Sequence, residues 1–385
     1  MKVIHSVASL MPSFGGPARS VSELCRLLSH KVESVEIFTT LAKGDEEQPL
    51  PTDLIKIHFV NGKDMKRFRL SWSPEFKELL QERINSFQPD IMHDHGMWLQ
   101  TNHVAVSLAK NHKIPSLISP RGMVEPWALK HKAWKKKIAW NLYQKKDLQK
   151  ATVLHATATG EANHLRALGL KQPIAIVPNG VNLADPNEET SETEKNERIC
   201  FFLGRIYPVK GLLNLVEAWG KVNPKGWKVI LAGPDESSHK AKVESAIKKR
   251  NLEKVFSFVG PVEEKEKKNW FNKADLVVLP SFSENFGIVV AEALNYGIPV
   301  ITTKGTPWQE LITHNCGWWV DIGVEPLSEA IREATSMDAD ELWQMGSRGR
   351  ELIKSRYSWP VQAEIMYEVY QWMLNDGQPP ACIQF

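Results

Sequence analysis

The chain has 385 residues, 42% hydrophobic and 24% charged, and a formal net charge of +3. That length exceeds one ordinary core and suggests two domains, with three as the alternative. The composition excludes a disordered chain, and the small net charge gives no support to a nucleic-acid partner.

Strand-like and helical runs alternate from the first residues onward. A strand at Val3–Ala8 leads through Met11-Pro12-Ser13-Phe14-Gly15-Gly16-Pro17-Ala18-Arg19 into a helix at Ala18–Leu28. The loop is not G-x-G-x-x-G, so it argues only weakly for a dinucleotide. Strands follow at Val35–Thr39, Ile55–Val60 and Ile91–His93, the last running into His93-Asp94-His95-Gly96. His93 and His95, as i and i+2 residues, share one face of the strand, but no third metal ligand stands near them. Ser116–Ser119 opens onto Pro120-Arg121-Gly122-Met123, and further strands are expected at Val153–Ala156 and Ala175–Pro178.

Between them, Trp127–Lys150 reads as one basic, aromatic helix. Trp127, Trp134, Trp140 and Tyr143 are interleaved with Lys130, Lys132, Lys135, Lys136, Lys137, Lys145 and Lys146. Two readings stand: a helix lying on an anionic membrane, or a structural helix with aromatics on the sheet and solvated lysines.

The turn Pro178-Asn179-Gly180 and the polar stretch Asn182–Glu197 divide the chain, giving domains 1–180 and 181–358. The second series has strands at Ile199–Leu203, Lys228–Ala232, Phe256–Val259, Leu276–Leu279, Val300–Thr302 and Gly317–Val320. Residues 359–385 carry a helical pattern at Trp359–Leu374, expected to cross back onto the first domain. The alternation predicts α/β architecture, with two doubly wound parallel sheets and a ligand cleft outside the carboxyl ends of their strands.

Two segments of the second domain carry chemistry. After its first strand, Gly204-Arg205-Ile206-Tyr207-Pro208-Val209-Lys210-Gly211 places two cations in one strand-to-helix loop. Arg binds a diphosphate bidentately and Lys as a point charge, so no metal is required to balance a leaving diphosphate. Further on, Glu284-Asn285-Phe286-Gly287-Ile288 leads into a helix expected to start near Phe286 and to carry Glu292. The amides of Phe286, Gly287 and Ile288 then face a ligand at a positive helix terminus. Over eight helical residues Glu284 and Glu292 lie roughly 12 Å apart, too far for a hydrolase pair at about 5–9.5 Å. Each acid taken alone reads equally well as a cap or a solvated surface residue.

Together these segments resemble the glycosyltransferase group 1 family, retaining enzymes of the GT-B fold. Glu284, Phe286-Gly287 and Glu292 match its E-x7-E signature, and Gly204-Arg205 with Lys210-Gly211 matches its G-R-x4-K-G loop. The resemblance implies that Glu284 meets the donor sugar, with Asn285 and the amides of Phe286, Gly287 and Ile288 beside it. It implies that Glu292 meets the ribose, that Arg205 and Lys210 hold the diphosphate, and that Gly15 and Gly16 approach it from the first domain. His95 is the remaining catalytic candidate, although a structural histidine fits as well.

Two positions depart from the family pattern. Arg121 stands where many members have a histidine, and Thr303-Lys304-Gly305-Thr306-Pro307 replaces the commoner Gly-Gly-x-Pro loop. His95 and Arg121 are therefore the acceptor-side candidates. The variants are similar to those of bacterial envelope or exopolysaccharide enzymes. The expected reaction is metal-independent transfer of a hexose, first choice UDP-glucose, to a glycan or lipid-linked sugar. A sugar-nucleotide epimerase and a non-catalytic nucleotide-sugar-binding protein are the alternatives.

The chain has four cysteines without ligand spacing, no signal-like start, and no apolar run near the roughly 20 residues of a membrane span. These features predict a cytoplasmic protein, with peripheral contact at the inner membrane surface as an option.

Overall fold

The computed structural model describes residues 1–11, 16–41, 54–61, 63–65, 70–130, 133–184, 197–375 and 377–385. It divides into two compact units, residues 1–180 with 359–385, and residues 181–358.

The first unit opens with β1 (Lys2–Val7), α1 (Gly16–Leu28), β2 (Ser34–Leu41), β3 (Ile55–Asn61) and a small antiparallel pair, β4 (Lys63–Met65) and β5 (Leu70–Trp72). Then come α2 (Pro74–Phe87), β6 (Ile91–His95), α3 (Gln100–Asn111) and β7 (Ser116–Ser119). The basic helix expected over Trp127–Lys150 is described as α4 (Pro126–Lys130) and, from residue 133, as one continuous run of α5 (Ala133–Ala139), a π turn at Trp140–Gln144 and α6 (Lys145–Lys150). Lys132 of that run lies outside the described residues. The half closes with β8 (Val153–Ala156), α7 (Thr159–Ala167) and β9 (Ile174–Ile176).

The second unit runs β10 (Arg198–Leu203), α8 (Leu212–Val222), β11 (Trp227–Ala232), α9 (His239–Lys249), β12 (Phe256–Gly260), α10 (Glu264–Lys273) and β13 (Leu276–Leu279). It continues with α11 (Ile288–Asn295), β14 (Val300–Thr303), α12 (Glu310–Thr313), β15 (Gly317–Val320), α13 (Val324–Ser336) and α14 (Ala339–Leu352). The chain then returns to the first unit through α15 (Trp359–Asn375) and β16 (Ile383–Gln384).

Both sheets are what helix-covered parallel strands require. The strands β6, β7, β8, β13 and β14 are buried along their whole length; β13 is an unbroken apolar run, whereas β6 buries His93, Asp94 and His95. The first sheet has the order β16-β9-β8-β7-β6-β1-β2-β3, with only β16 antiparallel, and the second β12-β11-β10-β13-β14-β15. Strand order reverses beside β1 in the first sheet and beside β10 in the second. Crevices form at the carboxyl ends of strands where the order reverses.

Trp359, Ala363, Met366, Val369 and Tyr370 of α15 are buried in the same cluster as β1 residues Val3 and Val7. Cys25 and Cys200 are free and buried, the small core residues that their apolar contexts suggest, and Cys316 is free and buried as well.

Candidate active site

In the second unit, two loops leave adjacent strands β10 and β13 and are bonded to each other. The Phe282 amide donates to the Val209 carbonyl at 2.7 Å. Gly211 makes the approach possible. Its φ of +69° is left-handed, and a Cβ there stands 2.0 Å from the Pro280 carbonyl oxygen.

This packing brings Lys210 and Glu284 together as an ion pair through Glu284 Oε1. Ser281, fully buried, donates to the same oxygen at 2.6 Å. The Glu284 amide donates to the Gly305 carbonyl at 2.8 Å, so the Thr303–Pro307 loop braces the acid from behind.

The helix carrying Glu292 begins later than the sequence suggests. Gly287 is its N-cap, at φ +74°, and Ile288 its first residue. Glu284 therefore lies in the loop, and the separation of the two acids cannot be counted as eight residues of helical rise. Phe286 is an anchor rather than a ligand-facing ring. It is buried against Trp308 and Tyr357, and its carbonyl accepts the Trp308 indole N–H at 2.6 Å. In the first turn after Gly287 the Val290 amide donates to the Gly287 carbonyl at 2.9 Å, and the amides of Ile288 and Val289 lie at the positive helix terminus.

Glu292 is paired with Lys267 of α10 at 2.8 Å, and Lys267 also meets Glu264 at 2.9 Å. Burial alone would lower the Lys267 pKa; the two carboxylates outweigh it and raise it. Lys267 belongs to no motif, so only the packing of α10 beside α11 reveals it. Arg205 is exposed and pairs with Glu236 at 2.8 Å, while Lys210 pairs with Glu284. The two cations of the loop thus have different acidic partners.

In the first unit, the residues gather at the ends of β1, β6, β7 and β8. Gly16 is the exposed first residue of α1; Gly15 and the rest of Pro12–Gly15 lie outside the described residues. His5 supplies the third imidazole that was missing from the sequence. His5, His93 and His95 have ring nitrogens within 4.8 Å of one another, a set that could hold a metal ion.

Their hydrogen bonds fix the tautomers. His155 Nε2 lies 2.8 Å from the Val177 carbonyl, which can only accept, so His155 Nδ1 accepts from the Ser119 hydroxyl at 2.6 Å. Ser119 Oγ must then accept from His93 Nε2 at 2.7 Å, and His93 Nδ1 from the Tyr370 hydroxyl at 2.6 Å.

A second chain starts at Arg121, whose guanidinium donates to His95 Nδ1 at 3.1 Å. His95 Nε2 then donates to His5 Nδ1 at 2.9 Å, which leaves His5 Nε2 as a buried N–H without a partner. Every other ring nitrogen of the three is engaged.

Burial is the main cause of neutrality here. It holds His5 and His155 at about 3, with Arg121 adding to the effect, and keeps His93 and His95 well below the ordinary value. Burial also pushes Asp94 up to about 7, against the hydrogen bonds from Ser6 and Asn102. Arg121 itself is lowered to about 10 by burial. It sits at φ +52° and also donates to Ser20 at 2.8 Å and Asn179 at 3.3 Å. Among the described residues no carboxylate forms an ion pair with it.

Residues 15–180 match the family described as glycosyl transferase 4-like domain, and residues 185–352 the family described as glycosyl transferases group 1. The chain is similar to D-inositol 3-phosphate glycosyltransferase of Xylanimonas cellulosilytica, 26% identical over 211 residues, 51% of each chain. It therefore spans about half the length of that relative. It is also similar to GDP-mannose:cellobiosyl-diphosphopolyprenol alpha-mannosyltransferase of Xanthomonas oryzae pv. oryzae, 24% identical over 380 residues and 93% of each chain. Among solved structures, Anabaena HepE in complex with UDP and glucose superposes with a TM-score of 0.72 at 16% identity, covering 96% of this chain and 99% of that one. The shared fold is GT-B.

Proposed function

We propose, from the premise that this chain belongs to the group 1 glycosyltransferases, that it is a retaining, metal-independent transferase. It moves glucose from UDP-glucose to a glycan or lipid-linked sugar in envelope or exopolysaccharide assembly, working in the cytoplasm. The observation that carries the reading is the Lys210–Glu284 pair, held on the buried Ser281 hydroxyl at the strand-order reversal of the second sheet.

A salt bridge in a binding loop costs little to exchange when the incoming ligand offers each partner a better match. A donor diphosphate takes the Lys210 ammonium and, with the amides after Gly287, spreads its charge over fixed dipoles. Glu284 is then released to accept hydrogen bonds from sugar hydroxyls, while Lys267 keeps Glu292 in place for the ribose. Arg205 adds an exposed cation to the same diphosphate. As the glycosidic bond lengthens, charge grows on the phosphate, where these cations already stand. Same-face attack then needs the departing phosphate oxygen, and no covalent nucleophile, to take the acceptor proton.

On the acceptor side, Arg121 is the reading's second element. A half-buried guanidinium without a carboxylate partner suits an anionic group of the acceptor, such as a lipid diphosphate. The acceptor named for the Xanthomonas relative is a cellobiosyl-diphosphopolyprenol, which supports this choice. The donor in that relative's name makes GDP-mannose the competitor to UDP-glucose.

The test is a thermal-shift screen across UDP-, GDP- and ADP-sugars, followed by product analysis with and without acceptor. Stabilisation by UDP-glucose and an α-linked product are expected. Preference for GDP-mannose sinks the donor assignment, and an epimerised nucleotide sugar formed without acceptor sinks transfer itself.

A further inference from the structure

The segment from α5 to α6 has two unlike faces. Its inner face is fully accounted for. Trp140 packs beside Trp98, the Tyr143 hydroxyl donates to the Trp98 carbonyl at 2.8 Å, Gln144 accepts the Trp98 amide at 2.7 Å, and Leu148 is buried. Its outer face presents Trp134, Ile138 and Leu142, which are 66%, 51% and 68% exposed. Spaced i, i+4 and i+8, they form one stripe. The other exposed large apolar residues among those described are scattered singly along the chain.

Around the stripe stand Lys135, Lys137, Lys145 and Lys146, all exposed. None of the four forms an ion pair with a described carboxylate. From Pro126 to Lys150 the one acid is Asp147, which is buried and held by His103 and Lys150.

We propose that this face docks the protein on an anionic lipid bilayer. A bulky apolar stripe flanked by lysines inserts at the headgroup boundary, while the ammonium groups meet lipid phosphates. The segment spans roughly 27 Å at 1.5 Å per residue, long enough to lie in the plane of the interface. No described helix is long and apolar enough to cross a membrane. A second copy is the weaker occupant, because a two-fold contact sets these lysines against the same lysines. The inference stands on this face alone and does not depend on the transfer reading.

The experiment is flotation of the full chain with vesicles of pure phosphatidylcholine or with added phosphatidylglycerol, at low and high salt. Binding to the anionic vesicles only, weakened by salt, is expected. The variant W134S/I138S/L142S should fall to background, and K135Q/K137Q/K145Q/K146Q should lower the partition coefficient on the order of a hundredfold. Unchanged thermal unfolding and unchanged slow hydrolysis of soluble donor show that both variants are folded. Equal binding to both vesicle types overturns the proposal, as does equal binding of the variants. A concentration-dependent dimer in sedimentation that the triple serine variant abolishes assigns the face to a second copy and overturns it too.

Discussion

At the strand ends of the first sheet, polar groups are buried, neutral and bonded mostly to one another; at those of the second, they are charged, partly exposed and paired across loops. His5, His93, His95 and His155 are neutral links in chains that end on Arg121, Tyr370 and the Val177 carbonyl. Lys210, Glu284, Lys267 and Glu292 form two ion pairs at the ends of β10 and β13 and on the flanking helices. A paired surface exchanges partners at small cost and suits a charged ligand that comes and goes. A buried neutral network does not exchange. It fixes the position of the single cation at its edge, Arg121.

The contrast can be broken most sharply at Glu284. Glu284→Ala should reduce transfer roughly 10³-fold in kcat, as loss of a preorganised charged group does; turnover equal to wild type refutes its role. Acid is the next test, and here the sign follows from the buried imidazoles. Between their ordinary value of 6.5 and about 3, His5 and His155 bind fewer protons in the folded chain than in the unfolded one. Stability is therefore present above pH 6.5 and lost as pH falls through that window, at roughly 1.4 kcal/mol per pH unit and imidazole. Asp94, raised to about 7, runs the other way: its contribution is complete below 3.8 and lost as pH rises through 7. One carboxyl opposes several imidazoles, so the first unit should weaken on acidification. Hydrogen exchange at pH 5 should show Lys2–Val7 and Ile91–His95 losing protection before Leu276–Leu279 and Val300–Thr303.

Smaller effects separate the two regions further. Arg121→Ala should raise the acceptor KM about 30- to 100-fold, the worth of a charge-assisted hydrogen-bond pair, with donor KM unchanged. Lys267→Met should raise the donor KM by about tenfold while leaving kcat within a few-fold. An effect on acceptor KM instead would move Lys267 out of the donor site.

How much of this was legible in the sequence follows the same division. Arg205, Lys210, Glu284 and Glu292 fall within two short segments, 204–211 and 284–292, because a loop after a strand and the first turns of a helix are local in the chain; Lys267 lies outside both and was not legible. The apolar strands were legible for a similar reason, since burial on both faces leaves no polar alternation to confuse the reading. The first-unit network was not legible. It joins His5 to His95 across 90 positions and His93 to Tyr370 across 277, and nothing in either neighbourhood marks the partner. The late start of α11 was hidden because Phe286 reads as helical until Trp308 claims its carbonyl. The π turn within the basic helix was hidden because it needs no proline or glycine.

The return of α15 and β16 to the first unit sets an order of assembly. Residues 181–358 are contiguous and can fold as soon as they leave the ribosome. The first unit waits, β9 paired with β8 on one side but open along its outer edge until Ile383 and Gln384 arrive, and its His93 without the Tyr370 hydroxyl. A nascent chain thus completes the half made second before it completes the half made first. The surface that holds Arg121 is set only after residues 359–384 have been made.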